Sequence, residues 1–349
     1  VQTAPAVRAA LGERFDCPAG TLVTGKMASS LRELGFDYVF DTNFAADLTI
    51  MEEGSEFLQR VKESFIGPKN GSPLPMITSC SPGWIKYVEH HYPEQLAHLS
   101  SCKSPHMMLG ALTKSYFAGK LGLDPKQIYV VSVMPCTAKK FEITRPEMQY
   151  NGLPDVDAVI TTRELARMIK DAGIDFRNLP EGSFDSPLGL SSGAADIFGT
   201  TGGVMEAAIR TVYELITGRE LAAEGLHIQS LAGLNRVKTA ELRIENPVEA
   251  YAWLNGVTVK VAVTSGLKGA SQLMEEIKSG KSQYHFIEVM GCPGGCISGG
   301  GQPRPVDDAV RRKRLEAIYR EDEGKTIRKS HQNEDLLSLY REFLGHPLG

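Results

Sequence analysis

The groups in this chain best equipped for chemistry are its thiols, and the stretch that raises the question is "VMGCPGGCISGGGQP", Val289–Pro303. Cys292 and Cys296 stand there in a backbone almost stripped of side chains. Three apolar runs end in a cysteine: "PMITSC" at Cys80, "IYVVSVMPC" at Cys136 and "YHFIEVMGC" at Cys292. In open α/β sheets, ligands bind beyond the carboxyl ends of strands. Thiols from three distant segments can therefore converge at one place. Glycine lets backbone amides come close to sulfur, which suits an iron–sulfur cluster. A structural zinc site would show paired knuckles with two residues between thiols. The only local pair here, Cys292 and Cys296, has three between them.

Other side chains at these strand ends carry possible roles. Met134 and Met290 each stand two residues before a cysteine, in "MPC" and "MGC". Side chains two apart on a strand share a face, so each could shield the same site. Lys139 follows in "MPCTAKKFE", with Glu142 three residues later; Lys139 could donate to an anionic ligand of a metal and Glu142 could hold it. A solvated helix face would show the same spacing. In "MEEGSEF", Glu53 and Glu56 lie three apart on one face of a helix. A buried metal needs a chain of groups that can both accept and donate protons, and two carboxylates could belong to one. Cys17 carries no such company and reads as inert.

The elements that must position these groups follow an α/β pattern. The runs 36–43, 75–80, 128–136, 157–162, 257–266 and 284–292 read as strands, and their near-continuous Val/Ile content predicts burial on both faces. Helical patterns lie between them: one opening after Asn43, "SPHMMLGALTKSYFAGKLG", "TRELARMIKDAG", and "GVMEAAIRTVYELITG" with its Gly stop. The pattern predicts mostly parallel sheets flanked by helices, in a chain long enough for two lobes. The expected limits are 1–150 and 151–305, followed by a helical tail over 306–349. "TGKMAS" lacks the glycine spacing of a phosphate loop and reads as a loop. "GTTGGVMEAAIR" reads as a tight packing turn, and the His90–His91 pair as an exposed helix end.

Bulk properties exclude several classes. The chain has 349 residues, 42% hydrophobic, a net charge of -4 and six cysteines. It offers no basic patch for nucleic acid, no apolar run long enough for a membrane span and too few cysteines for a disulfide scaffold. A reducing, cytoplasmic setting is expected. The start at Val1 reads as a piece of a longer protein.

Taken together, "TSCSPGW" (78–84), "MPCTAKKFE" (134–142) and "EVMGCPGGCISGGGQP" (288–303) resemble the three signature motifs of the [FeFe]-hydrogenase catalytic domain. The similarity extends over "VQTAPAVRAALGE", "FDTNFAADLTIMEE", "LSSCKSP" and "GTTGGVMEAAIRT", nearly the whole chain. The resemblance implies a [4Fe-4S] cluster joined through a shared cysteine to a diiron subcluster carrying CO, cyanide and a bridging dithiolate amine. It implies two α/β lobes with the metal centre in the cleft between them, and the reaction 2H⁺ + 2e⁻ ⇌ H₂. Cys136, Cys292 and Cys296 would be ligands, with Cys296 the bridge. Lys139 would bond a cyanide. Met134, Met290, Ala4 and Pro5 would line the diiron pocket, with His106 nearby where Gln is more usual. A relay from Glu53 through Ser100 and Glu56 to Cys80 would carry protons. The implied partners are an electron carrier such as ferredoxin, or a subunit or extension with further iron–sulfur clusters, together with maturation proteins.

One position departs from the family pattern. The first motif usually has two adjacent cysteines, and here Cys80 is followed by Ser81. The fourth cluster ligand could be Ser81, Cys80 or Cys102. The rival function is a non-catalytic iron–sulfur protein of the same fold, such as an assembly factor or hydrogen sensor. Retention of Lys139, Met134, Met290, Glu53 and Glu56 speaks against it.

Overall fold

A computed structural model describes residues 1–67, 71–221 and 237–348. Two four-stranded sheets form its frame. The first has the order β2-β1-β4-β7, with β1 Gln2–Thr3, β2 Phe40–Asp41, β4 Val131–Met134 and β7 Ala158–Thr161, all parallel. The second has the order β3-β10-β9-β8, with β3 Met76–Ile77, β8 Val237–Arg243, β9 Thr258–Ser265 and β10 Phe286–Met290. β3, β10 and β9 run parallel and β8 is antiparallel. A small hairpin of β5 Gln149–Tyr150 and β6 Leu153–Pro154 lies apart from both sheets.

Every residue of β4 and β10 is buried, as expected for parallel strands covered on both faces. The antiparallel β8, "VKTAELR", has no buried residue. Its alternating charges suit an edge strand, and its low apolar content hides it from an apolar-run reading.

The chain does not pass from one sheet to the other at residue 150. β7, at 158–161, belongs to the first sheet, whereas β3, at 76–77, belongs to the second. The expected limits 1–150 and 151–305 therefore do not follow the sheets. The reason is that the described strands switch sheets three times: the long helix Thr42–Ile66 takes the chain from β2 to β3, and it returns before β4 and leaves again after β7. Asp41 caps its start by accepting from the Asn43 backbone N–H at 3.1 Å. "TGKMAS" is also corrected: it opens the helix Thr24–Glu33, whose Met27, Ala28 and Leu31 are buried.

Behind the helix Asp308–Gly324, the loop that carries Cys296 is gripped by one fully buried residue, Arg314. Its guanidinium donates to both oxygens of Glu13, at 2.7 and 2.6 Å, and to the carbonyls of Ile297 and Pro303. Breaking a buried ion pair by removing one partner costs roughly 3–5 kcal/mol. Arg314→Ala is therefore expected to lower the urea midpoint of unfolding by a corresponding amount. Arg314→Lys should recover little, because an ammonium cannot span both Glu13 oxygens. An unchanged midpoint for Arg314→Ala would show that the tail docks by apolar contact alone.

Candidate metal centre

The carboxyl ends of β4, β3 and β10 point three cysteines towards one region. "TSCSPGW" is fastened to β10 by the Val289 N–H, which donates to Thr78 Oγ1 at 3.1 Å. The Trp84 indole donates to the Thr78 carbonyl at 3.2 Å. The glycines of the last motif are there because backbone lies against backbone. A Cβ on Gly299 would sit 2.2 Å from the Pro135 oxygen. Gly295, at φ +89, would place one 2.7 Å from the Thr201 nitrogen. The Gly301 N–H donates to the Pro135 carbonyl at 2.7 Å. Cys136 and Cys296 are thus locked together through main chain, with "GTTGG" packed against the same loop.

Burial pushes the Cys296 thiol far above the usual cysteine range, and Cys136, Cys292 and Cys80 push it further by repulsion. The Cys292 thiol is raised by burial and then by Cys136. The thiols lie within electrostatic reach of Cys296. Yet among the described residues no three His, Cys, Asp or Glu side chains close on a point tight enough for one metal ion. Lys139 offsets this repulsion at Cys296 and Arg304 offsets it at Cys292, yet both thiols stay raised; thiols that crowd one another in this way fit a polynuclear cationic centre.

Beside the thiols lies a cavity of about 80 Å³. Ala4, Pro5, Cys80, Met134, Met290 and Cys296 line it, and Lys139 and His106 also face it. Lys139 is held from two sides. Its ammonium is 2.7 Å from Glu142 Oε2 and donates to the Cys80 carbonyl at 2.9 Å. His106 Nε2 lies 2.6 Å from the same Glu142 oxygen, and its Nδ1 is 3.2 Å from Ser132 Oγ. Burial alone would raise the Glu142 carboxyl, but Lys139 and His106 draw it down to about 2. Burial, with Lys139 adding to it, lowers His106. The ring is therefore neutral, donating from Nε2 to Glu142 and accepting at Nδ1 from Ser132. The Lys139–Glu142 pair is not a solvated helix face, since Glu142 is 3% exposed.

A line of protonatable groups leads to this cavity. Burial pushes the Cys80 thiol up to about 12, and Glu53 adds to the shift. Burial also lifts Glu53 to about 7, against hydrogen bonds from Ser100 and the Ser79 backbone. Ser100 donates to Glu56 Oε2 at 3.1 Å. The Ser100 N–H is in turn held by the Ile77 carbonyl at 2.7 Å, so β3 positions this line of groups. Glu53, Glu56 and Ser100 are all buried.

The three fourth-ligand candidates separate in space. Cys80 lines the cavity. Cys102 stands beside Ser100: its backbone N–H donates to Ser100 Oγ at 3.2 Å, and burial followed by Glu53 raises its thiol. It lines a different cavity, shared with Ser101 and Glu52. Ser81 sits at the N-terminus of the helix Pro82–His91, yet its hydroxyl does not cap that helix. It faces Gly291 instead, 2.8 Å from where a Cβ would stand, beside Cys292.

Two residues with a part in this site escape an apolar-run reading. Arg60 clasps Glu56, and its place four residues further along the same helix was the available signal. Glu288, fully buried on β10, accepts the N–H groups of Gly202 and Met205 at 2.6 and 2.8 Å. It ties the start of the helix Gly203–Thr217 to the strand carrying Met290. Set inside a continuous apolar strand, it gives no periodic signal.

The chain matches the family model described as iron only hydrogenase large subunit, C-terminal domain, over residues 1–300. Residues 308–349 match the iron hydrogenase small subunit. It is 52% identical over 349 residues to the NADP-reducing hydrogenase subunit HndD of Solidesulfovibrio fructosivorans, covering 100% of this chain and 57% of that protein. It therefore spans little more than half of that relative's length. It is 52% identical over 300 residues to the periplasmic [Fe] hydrogenase large subunit of Nitratidesulfovibrio vulgaris, covering 86% of this chain and 67% of that one. A solved structure of a variant of the [FeFe]-hydrogenase HydA1 from Chlamydomonas reinhardtii superposes with a TM-score of 0.87 at 43% identity, covering 100% and 90% of the two chains. At 30% identity, the cytosolic Fe-S cluster assembly factor narfl of Danio rerio also aligns, over 99% of this chain and 82% of its own length. On its motifs, its fold and these matches, the chain belongs to the iron-only hydrogenase large-subunit family.

Proposed function

We propose that this chain catalyses 2H⁺ + 2e⁻ ⇌ H₂ as an [FeFe]-hydrogenase. The observation that carries the reading is the buried relay Glu56–Ser100–Glu53–Cys80, which ends on the cavity shared by Cys296, Lys139 and the two methionines. A protein that only stores or transfers a cluster has no use for protons delivered to one buried point.

In this reading Cys136, Cys292 and Cys296 would hold a [4Fe-4S] cluster, and Cys296 would also hold a diiron subcluster bearing CO, cyanide and the dithiolate amine. Bound there, the centre supplies the electrons and the place where protons and H₂ interconvert. The chain's own residues do the rest. Ala4, Pro5, Met134 and Met290 keep water from the cavity. Lys139, steered by Glu142, presents its ammonium to an anionic ligand. His106, neutral, fixes Glu142 rather than adding charge. Ser81 is the proposed fourth ligand, because its hydroxyl is free of the helix cap and lies beside Cys292, whereas Cys102 belongs to the relay. The electron route would be a ferredoxin-like carrier or a cluster-bearing subunit or extension.

Infrared spectroscopy and iron analysis of anaerobically matured protein test the reading. CO and cyanide bands with H₂ turnover are expected. Iron without those bands and without turnover would favour the assembly-factor or sensor alternative, and zinc without iron would defeat both. In the same samples Ser81→Ala is expected to lose most of its cubane iron and Ser81→Cys to keep it. Equal iron in both would remove Ser81 from the ligand set.

A further inference from the structure

The relay described so far ends inward at Cys80, and its outer end is unassigned. Arg60 is the next group beyond Glu56. It donates from Nε and Nη2 to Glu56 Oε1, at 3.0 and 2.6 Å. Its remaining N–H groups go to main-chain carbonyls, among them Ala97 at 3.1 Å and Leu99 at 2.7 Å. A guanidinium has no acceptor and does not release its proton in a protein. Arg60 is therefore a buttress that cannot hand protons on.

The other oxygen, Glu56 Oε2, has two hydroxyl partners. Ser100 leads inward. Ser101 donates to it at 3.0 Å from Oγ, and the Ser101 backbone N–H donates at the same distance. Unlike every other member of the line, Ser101 is exposed. It stands on the wall of an open cavity of about 400 Å³ that also meets Glu52, Lys103, Phe343 and His346. The far wall is the C-terminal segment, moored to Glu52: the Tyr340 hydroxyl donates to one carboxylate oxygen, and the Leu348 N–H donates to the other at 3.0 Å.

We propose that Ser101 is the outer port of the proton relay, and that the C-terminal segment forms the rim of its mouth. The hydroxyl accepts a proton from water in the cavity and passes its own to Glu56 Oε2, with no net change at Ser101. This rests on the hydrogenase reading, which supplies the demand for protons.

Ser101→Thr and Ser101→Val test it in matured protein. The two side chains have the same shape and differ only in hydroxyl against methyl. Both keep the backbone N–H that holds Glu56. Val is expected to slow H₂ production about 10²-fold, with a larger D₂O isotope effect and unchanged iron content and infrared bands. Thr is expected to stay close to the unsubstituted rate. Equal rates for Val and Thr would overturn the port. An unsubstituted protein that lacks CO and cyanide bands and turnover would overturn the hydrogenase reading, and the port with it. Turnover with the bands present but no Val–Thr difference fails the port alone.

Discussion

Cys80→Ala is expected to abolish H₂ turnover, by about 10³-fold or more, while iron content and infrared bands stay as they are. The thiol lines the cavity beside Cys296 and Met290. Raised to about 12 by burial and by Glu53, it stays protonated at neutral pH. It can therefore give a proton towards the cavity and take one from Glu53, which is what a relay member must do. Alanine can do neither. The contact that fixes Lys139 is made to the Cys80 carbonyl, not the thiol, so the substitution leaves that ammonium in place. Cys80→Ser keeps a group able to donate and accept, and should recover part of the rate. Full turnover in Cys80→Ala would defeat the relay role. Loss of iron would show instead that Cys80 is a ligand, and Ser81 would then lose its claim.

Much of this site was legible because its residues stand in runs with their own signals. β4 and β10 each end two residues before their cysteine, Cys136 and Cys292, and both are fully buried strands. The glycines of the last motif read as close backbone approach, and Gly295 and Gly299 press against Thr201 and Pro135. What the residues alone left open depends on tertiary contacts. Whether Lys139 and Glu142 face water or the core depends on His106, 36 residues away from Glu142. Ser81 and Cys102 are told apart by their neighbours: Ser81 faces Gly291, beside Cys292, and Cys102 bonds to Ser100. The division into lobes was hidden for a related reason: among the described strands the chain crosses between the sheets three times, after β2, after β3 and after β7, so sequence order and sheet membership part company. Arg314 and Glu288 were invisible because a buried ionic group has no periodicity; only its partners explain it.

Glu53→Gln should separate function from stability, with opposite signs. Turnover is expected to fall about 10³-fold, because an amide can hold Ser100 in place but cannot exchange a proton along the line. The carboxyl itself is costly to bury. An unfolded Glu loses its proton near 4.5, whereas the folded protein keeps it until about 7. Between those values the native state binds more protons than the unfolded chain, so stability falls as pH rises across that window. Above pH 7 both states are ionised and the full cost remains, on the order of 3 kcal/mol. Glutamine carries no such cost. The variant should therefore match the unsubstituted protein in urea unfolding near pH 4.5, gain on it steadily towards pH 7, and stay ahead beyond it. Glu288, also lifted to about 7 by burial, is present in both proteins and drops out of the difference. A Gln variant whose advantage over the unsubstituted protein is no larger at pH 8 than at pH 5 would mean that Glu53 is solvated rather than held dry. Retained turnover would mean that protons reach Cys80 by another way. Loss of turnover together with the pH-dependent gain in stability is the pattern of a carboxylic acid kept in an unfavourable place because the chemistry needs its proton there.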